Sequence, residues 1–197
     1  MKKTLYLMRH GETLFNQQKK IQGWCDSPLT SKGQQQALIA KKYFETQGIV
    51  FKEAYSSTSE RACDTLELVT DAPYTRIKGL KEWNFGTFEA EHEYLNPKLP
   101  YGDFFAAYGG EKELDFRTRV ANTVSDILSQ AQADSILIVS HGAACRQFMR
   151  AWEHKSLVEQ KSRIGNCCIL KFEYDEDEKE FELLEIINHD FSHLEEV

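Results

Sequence analysis

No stretch of the chain approaches the roughly 20 consecutive apolar residues that a membrane-spanning helix requires. Lys2 and Lys3 are followed by only residues 5–8 as an apolar continuation, too short for a secretion signal, which points to a cytoplasmic protein. A basic excess is also missing. Lys and Arg number 24 against 31 Asp and Glu, a net charge of −7. The basic runs stop at Lys19-Lys20 and Lys41-Lys42. A nucleic-acid partner is therefore not expected. An anion can be bound only through a few locally placed cations. The five cysteines fit no disulfide or zinc spacing and read as free thiols in a reducing compartment. His189 and His193 have helical i,i+4 spacing but no clear third ligand, so no metal is expected. Internal repeats, low-complexity segments, P-loops and dinucleotide-type glycine patterns are absent as well. Nothing in the sequence fixes an oligomeric state.

What is present is an alternation of strands and helices over 197 residues, a length that fits one domain, residues 1–197. Residues 4–8 read as a strand. Ala37, Ala40 and Phe44 recur at helical spacing, with Thr30 as the cap and Gly48 as the stop. Residues 54–56 form a short strand. Ser59 then caps a helix carrying Ala62, Leu66 and Val69. Phe116, Val120, Val124, Ile127 and Ala131 make the strongest helical stripe. Residues 135–139, SILIV, are apolar without a break, as in a strand covered on both faces. Phe148 and Trp152 lie on the next helix. Residues 168–174 and 181–187 read as strands joined by the solvated turn DEDEKE. The expected fold is α/β: a three-layer sandwich with a mostly parallel central sheet and helices on both faces. Residues 89–115 break the rhythm with five aromatics, two prolines and three glycines, and read as a small cap excursion over the sheet.

Two strand ends carry matching signatures. Met8-Arg9-His10-Gly11 follows the first strand, and Ser140-His141-Gly142 follows SILIV. Sheets of this class bind ligands beyond the carboxyl ends of their strands. Glycine there lets backbone approach a ligand closely. Two imidazoles at that edge can face each other across a crevice. Arg61 falls in the first turn of the helix after Ser59, where the helix dipole disfavours a cation. Anion binding is one use for it; a surface pair with Glu60 or Asp64 is the alternative. Glu82 sits in an aromatic and apolar stretch, where burial would favour its protonated form and make it a proton donor. Together these residues fit phosphoryl transfer to a histidine, with cations and N–H groups holding the equatorial oxygens and a carboxylic acid protonating the leaving oxygen.

The blocks LMRHGETLFN, IQGWCDSPLTSKG, SSTSERACDT, LKEWNFGTFE and VSHG resemble the histidine phosphatase superfamily, in its phosphoglycerate mutase-like branch, from residue 4 to about residue 145. The resemblance implies a metal-independent enzyme without a cofactor, acting on a small phosphorylated metabolite. His10 would be the phosphorylated nucleophile. Arg9, Arg61 and His141 would clamp the phosphoryl oxygens. Glu82 would serve as acid and then base. Asn16, Gln22, Gly23 and Gly142 would lie against phosphate or substrate.

Mutases of this family typically follow the glutamate with Arg and then Tyr, where this chain has Trp83 and Phe85. They usually carry Thr before Gly-Trp, where Gln22 stands here. The chain is also short for a mutase. These departures favour a phosphatase over a cofactor-dependent phosphoglycerate mutase. A non-catalytic phospholigand-binding protein is the reading from another class, set against the retained His10 and Glu82. Ala90 replaces a frequent glycine, and Gly110-Glu111-Lys112 replaces Gly-Glu-Ser.

Overall fold

Leu5, Tyr6, Leu7 and Met8 are apolar in succession because their strand is covered on both sides. In β1 (Lys2–Arg9), Leu5 and Leu7 enter one core cluster, while Tyr6 and Met8 enter the other. The computed structural model describes residues 1–161 and 163–194. Their sheet has six strands in the order β3-β2-β4-β1-β5-β6. β2 (Glu53–Ser57), β3 (Tyr74–Ile77) and β4 (Ser135–Ser140) run parallel to β1. β5 (Ile169–Asp175) and β6 (Glu180–Ile187) form an antiparallel hairpin on the β1 side. Its turn is the DEDEKE segment.

Among the described residues five α-helices accompany the sheet. α1 (Leu14–Gln17) is a single turn. α2 (Ser31–Thr46) and α3 (Glu60–Val69) cover one face through Ala37, Ala40, Phe44, Ala62 and Leu66. α4 (Glu113–Gln130) and α5 (Gly142–Ala151) cover the other through Phe116, Val120, Val124 and Phe148. Thr30 caps α2 by accepting the Gly33 N–H at 3.0 Å. Ser59 stands at the cap position of α3, but its side chain makes no capping bond. Trp152 lies just beyond α5, as its C-cap. Cys167 precedes β5 with φ +53° and packs in one cluster, while Cys168 packs in the other.

β1 and β4 are neighbours, paired Arg9 to Ser140, and the helices that follow them lie on opposite faces. That divergence opens a crevice at their carboxyl ends. The irregular segment after Glu89 ends where α4 begins, at Glu113, slightly earlier than residue 115. Its Tyr101, Phe104 and Phe105 pack with Trp83, Phe85 and Phe88 in the core cluster that α4 and α5 also join. No helix among the described residues is long and apolar enough to cross a membrane.

Candidate active site

β1 delivers His10 and β4 delivers His141 to the same edge. The ring centroids are 5.3 Å apart and the rings meet edge-on. His10 keeps its main chain in the ladder by donating its N–H to Ser140 at 3.0 Å. Its Nδ1 lies 2.7 Å from the carbonyl oxygen of Gly11. A carbonyl only accepts, so Nδ1 carries the hydrogen and Nε2 keeps its lone pair. Burial, then the charges of Arg61 and Arg9, hold the His10 imidazole well below its usual 6.5, in the neutral form that a nucleophile requires.

Arg61 is 1% exposed and faces inward, so the surface pairing with Glu60 or Asp64 does not occur. Its Nε donates to Nε2 of His10 at 3.3 Å. Nη1 donates to Asp26 Oδ1 at 2.8 Å and to the Cys25 carbonyl at 2.9 Å, and Nη2 to the Gly23 carbonyl at 2.8 Å. Asp26 is the partner that the sequence reading missed. It also accepts the Glu60 N–H at 2.6 Å, which ties the 23–26 turn to the start of α3. Glu89 shapes that turn by accepting from Trp24 N at 2.8 Å and Cys25 N at 2.6 Å. Gly23 is required there: its φ is +42°, and a Cβ would lie 2.3 Å from Glu89 Oε1.

Arg9 donates from Nη1 to the Ile164 carbonyl at 2.8 Å, while its Nε is buried with no partner. Gly142 leaves room beside it, since a Cβ would sit 3.3 Å from that Nε. His141 is fully buried; its Nε2 pairs with Ser57 Oγ at 2.8 Å and its Nδ1 has no partner. It stands edge-on to His10 and does not belong to the cavity wall.

Glu82 lies in a polar setting, contrary to the apolar one expected from its neighbours. Trp83 points into the core. The Glu82 carboxylate accepts N–H bonds from Trp83 at 2.9 Å and Ala144 at 3.0 Å through Oε1, and from Ala143 at 3.0 Å through Oε2. It thus occupies the N-terminus of α5, where the helix dipole favours an anion. Among the described residues Oε2 has that one partner only.

Asn16 reaches the cavity from α1 and accepts from Asn166 Nδ2 at 3.2 Å. The Gln22 amide is engaged with Thr13 and Ser27 at 2.8 Å each, although the residue borders the same cavity. The cavity measures about 850 Å³, far more than a phosphate occupies, and Arg9, His10, Arg61, Glu82, Gly23 and Gly142 all line it. Its outer wall adds Lys20, Arg146, Lys161 and Arg163, against Glu93. Sequence reading missed these four cations. Arg146 was findable: on α5 it is four residues beyond Gly142 and therefore shares its face. Lys161 and Arg163 follow no helical or strand period. Among the described residues no group of three or more His, Cys, Asp or Glu side chains is placed to hold a metal ion.

The sequence profile of the histidine phosphatase superfamily (branch 1) matches residues 5–187. The "Broad-specificity phosphatase YOR283W" of Saccharomyces cerevisiae is 28% identical over 90% of this chain and 82% of that protein. The "Probable phosphoglycerate mutase GpmB" of Citrobacter koseri is 32% identical over 87% of this chain and 85% of its own. The solved structure of Bacillus stearothermophilus YhfR superposes with a TM-score of 0.78 at 30% identity, covering 92% of this chain and 95% of that one. The match over residues 5–187, which spans both His-Gly strand ends of the crevice, places the chain in the histidine phosphatase superfamily, branch 1.

Proposed function

We propose that the protein is a phosphatase that hydrolyses a small phosphomonoester through a phosphohistidine at His10. The observation that carries this reading is the tautomer of His10: its Nδ1–H is held by Gly11, and its bare Nε2 borders the cavity beside two arginines. In the first step the Nε2 lone pair attacks phosphorus and the ester P–O bond breaks. The leaving oxygen takes the proton of Glu82 in its acid form. The ring gains positive charge, which the Nδ1–H bond to Gly11 disperses, and Arg9 and Arg61 balance the phosphoryl oxygens. In the second step Glu82, now a carboxylate, removes a proton from water. The water oxygen attacks phosphorus, the P–N bond breaks, and phosphate leaves.

Hydrolysis is favoured over mutase transfer because water reaches the cavity. Tyr94 is 80% exposed and Leu99 is 62% exposed, and both lie on its wall. A mutase has to exclude water while its product turns round. The outer cations suit a substrate with a second acidic group beyond the scissile phosphate, and the relative named for phosphoglycerate fits that class. The same cations keep mutase transfer as the second reading.

The test is incubation with a panel of cellular phosphomonoesters, scoring phosphate release and acid-labile phosphate on the protein. Release together with labelling at residue 10, both lost in His10→Ala, supports the reading. Isomerisation of phosphoglycerate without phosphate release would turn it toward the mutase, and label at another residue would end it.

A further inference from the structure

Ser57 ends β2 and is fully buried. Its Oγ lies 2.8 Å from Nε2 of His141 and accepts the Ser59 N–H at 3.3 Å. A hydroxyl has one hydrogen to give. With Ser59 occupying a lone pair, that hydrogen points at the one remaining neighbour in this set, Nε2. Ser57 is then the donor and His141 the acceptor. A neutral imidazole that accepts at Nε2 carries its hydrogen at Nδ1. His141 Nδ1 is buried without a partner, a condition that costs free energy unless a ligand completes the bond. His10 shows the opposite arrangement, with its lone pair on Nε2.

We propose that Ser57 is a positioning residue that locks His141 in the Nδ1–H tautomer, so that the histidine pair keeps its lone pair on His10 Nε2 and its unpartnered N–H on His141. Without the Ser57 hydroxyl, Nε2 can take the hydrogen, and Nδ1 would then hold a lone pair in a ring 5.3 Å from that of His10, which disfavours an anion bound at His10. Burial and the nearby charge of Arg61 keep the ring neutral, so tautomer rather than protonation decides what it offers. The catalytic half of the proposal rests on the phosphohistidine reading; the tautomeric half does not.

The experiment is a two-bond proton–nitrogen correlation spectrum of the full-length protein labelled with nitrogen-15 histidine, near pH 7.5. The expected pattern for His141 is a protonated Nδ1 and a bare Nε2. The Nε2–H pattern in the unsubstituted protein would overturn the proposal. Ser57→Ala should move His141 toward Nε2–H and lower kcat for p-nitrophenyl phosphate about tenfold or more, a smaller loss than the roughly 10²–10³-fold of removing a donor in direct contact. Ser57→Thr, which keeps a hydroxyl, should keep the spectrum and most of kcat. A Ser57→Ala protein with an unchanged spectrum and unchanged kcat would also overturn it. If no phosphomonoester is hydrolysed at all, the hydrolase reading fails, while the spectrum still decides the tautomer.

Discussion

Arg61 donates its Nε–H to Nε2 of His10 at 3.3 Å, on the atom proposed to attack phosphorus. The other two guanidinium nitrogens are committed to Asp26, Cys25 and Gly23. Attack therefore requires Nε2 to give up this bond, which frees the Nε–H for a phosphoryl oxygen while the anchored, rigid fork keeps the guanidinium in place. Lysine supplies charge but no fork. Arg61→Lys should lower kcat/KM for p-nitrophenyl phosphate by about 10²–10³-fold, as for loss of an oriented donor. Steady-state kinetics check this, and a loss under fivefold would refute it.

Glu82→Gln removes the proposed acid while keeping the acceptor of Ala144. Turnover of alkyl phosphates, whose leaving oxygens need a proton, should drop by about 10²–10⁴-fold. Turnover of p-nitrophenyl phosphate should drop much less. Equal losses for both substrate types would remove Glu82 from the acid role.

Acid should destabilise the fold through its two buried histidines. Burial, Arg61 and Arg9 hold His10 well below the usual 6.5, and burial and Arg61 lead the same effect at His141. The unfolded chain takes up these protons near 6.5, while the folded chain takes them up only at much lower pH. The stability they contribute is thus present above about pH 6.5 and is lost as pH falls, by up to about 1.4 kcal/mol per pH unit for each ring. Thermal melts from pH 7 to pH 5 should show a falling midpoint, with a shallower slope in His141→Phe. A flat midpoint in the unsubstituted protein would contradict the pKa directions.

Ala90 has φ +69° and is exposed. A Cβ costs roughly 1–2 kcal/mol in that conformation, and glycine avoids the strain at some entropic expense. Ala90→Gly should raise stability by about 0.5–1 kcal/mol in chemical unfolding. A net loss of stability would show that the local backbone relaxes around alanine.

Glu89 bridges the 23–26 turn to its own loop without lining the cavity. Glu89→Ala should loosen the carbonyls that hold Arg61, lowering stability by about 1–3 kcal/mol, read as a lower melting temperature, and lowering kcat/KM as well. Loss of stability with intact kinetics would show that Arg61 holds its place through Asp26 alone.

Strands and helices with a strong period were legible in the residues, among them β1, β4, α2, α3 and α4. β3 was not, because Tyr74–Ile77 is a short edge strand with two exposed residues and no alternation to detect. The residues point to Arg9, His10, Arg61, Glu82 and His141 around one pocket; the first four line one cavity, while His141 stands beside His10 but off its wall. Asp26, Ser57 and Glu89 escaped notice because they act through backbone N–H groups, guanidinium edges and imidazole nitrogens, none of which leaves a mark in residue spacing. The polar setting of Glu82 escaped for the same reason: its neighbours in sequence are aromatic, but its neighbours in space are the first amides of α5.

The segment that closes the site comes late in the chain. Ile164 accepts from Arg9, Asn166 donates to the His10 carbonyl at 3.2 Å, and Cys167 donates to the Arg9 carbonyl at 3.1 Å. The histidine proposed to carry the phosphoryl group and its neighbouring arginine are thus held by residues 156 and 155 positions further along the chain. A chain cut before that segment keeps every residue of the histidine motif but loses these three contacts, so the chemistry proposed at position 10 leans on a stretch that supplies none of the reacting groups.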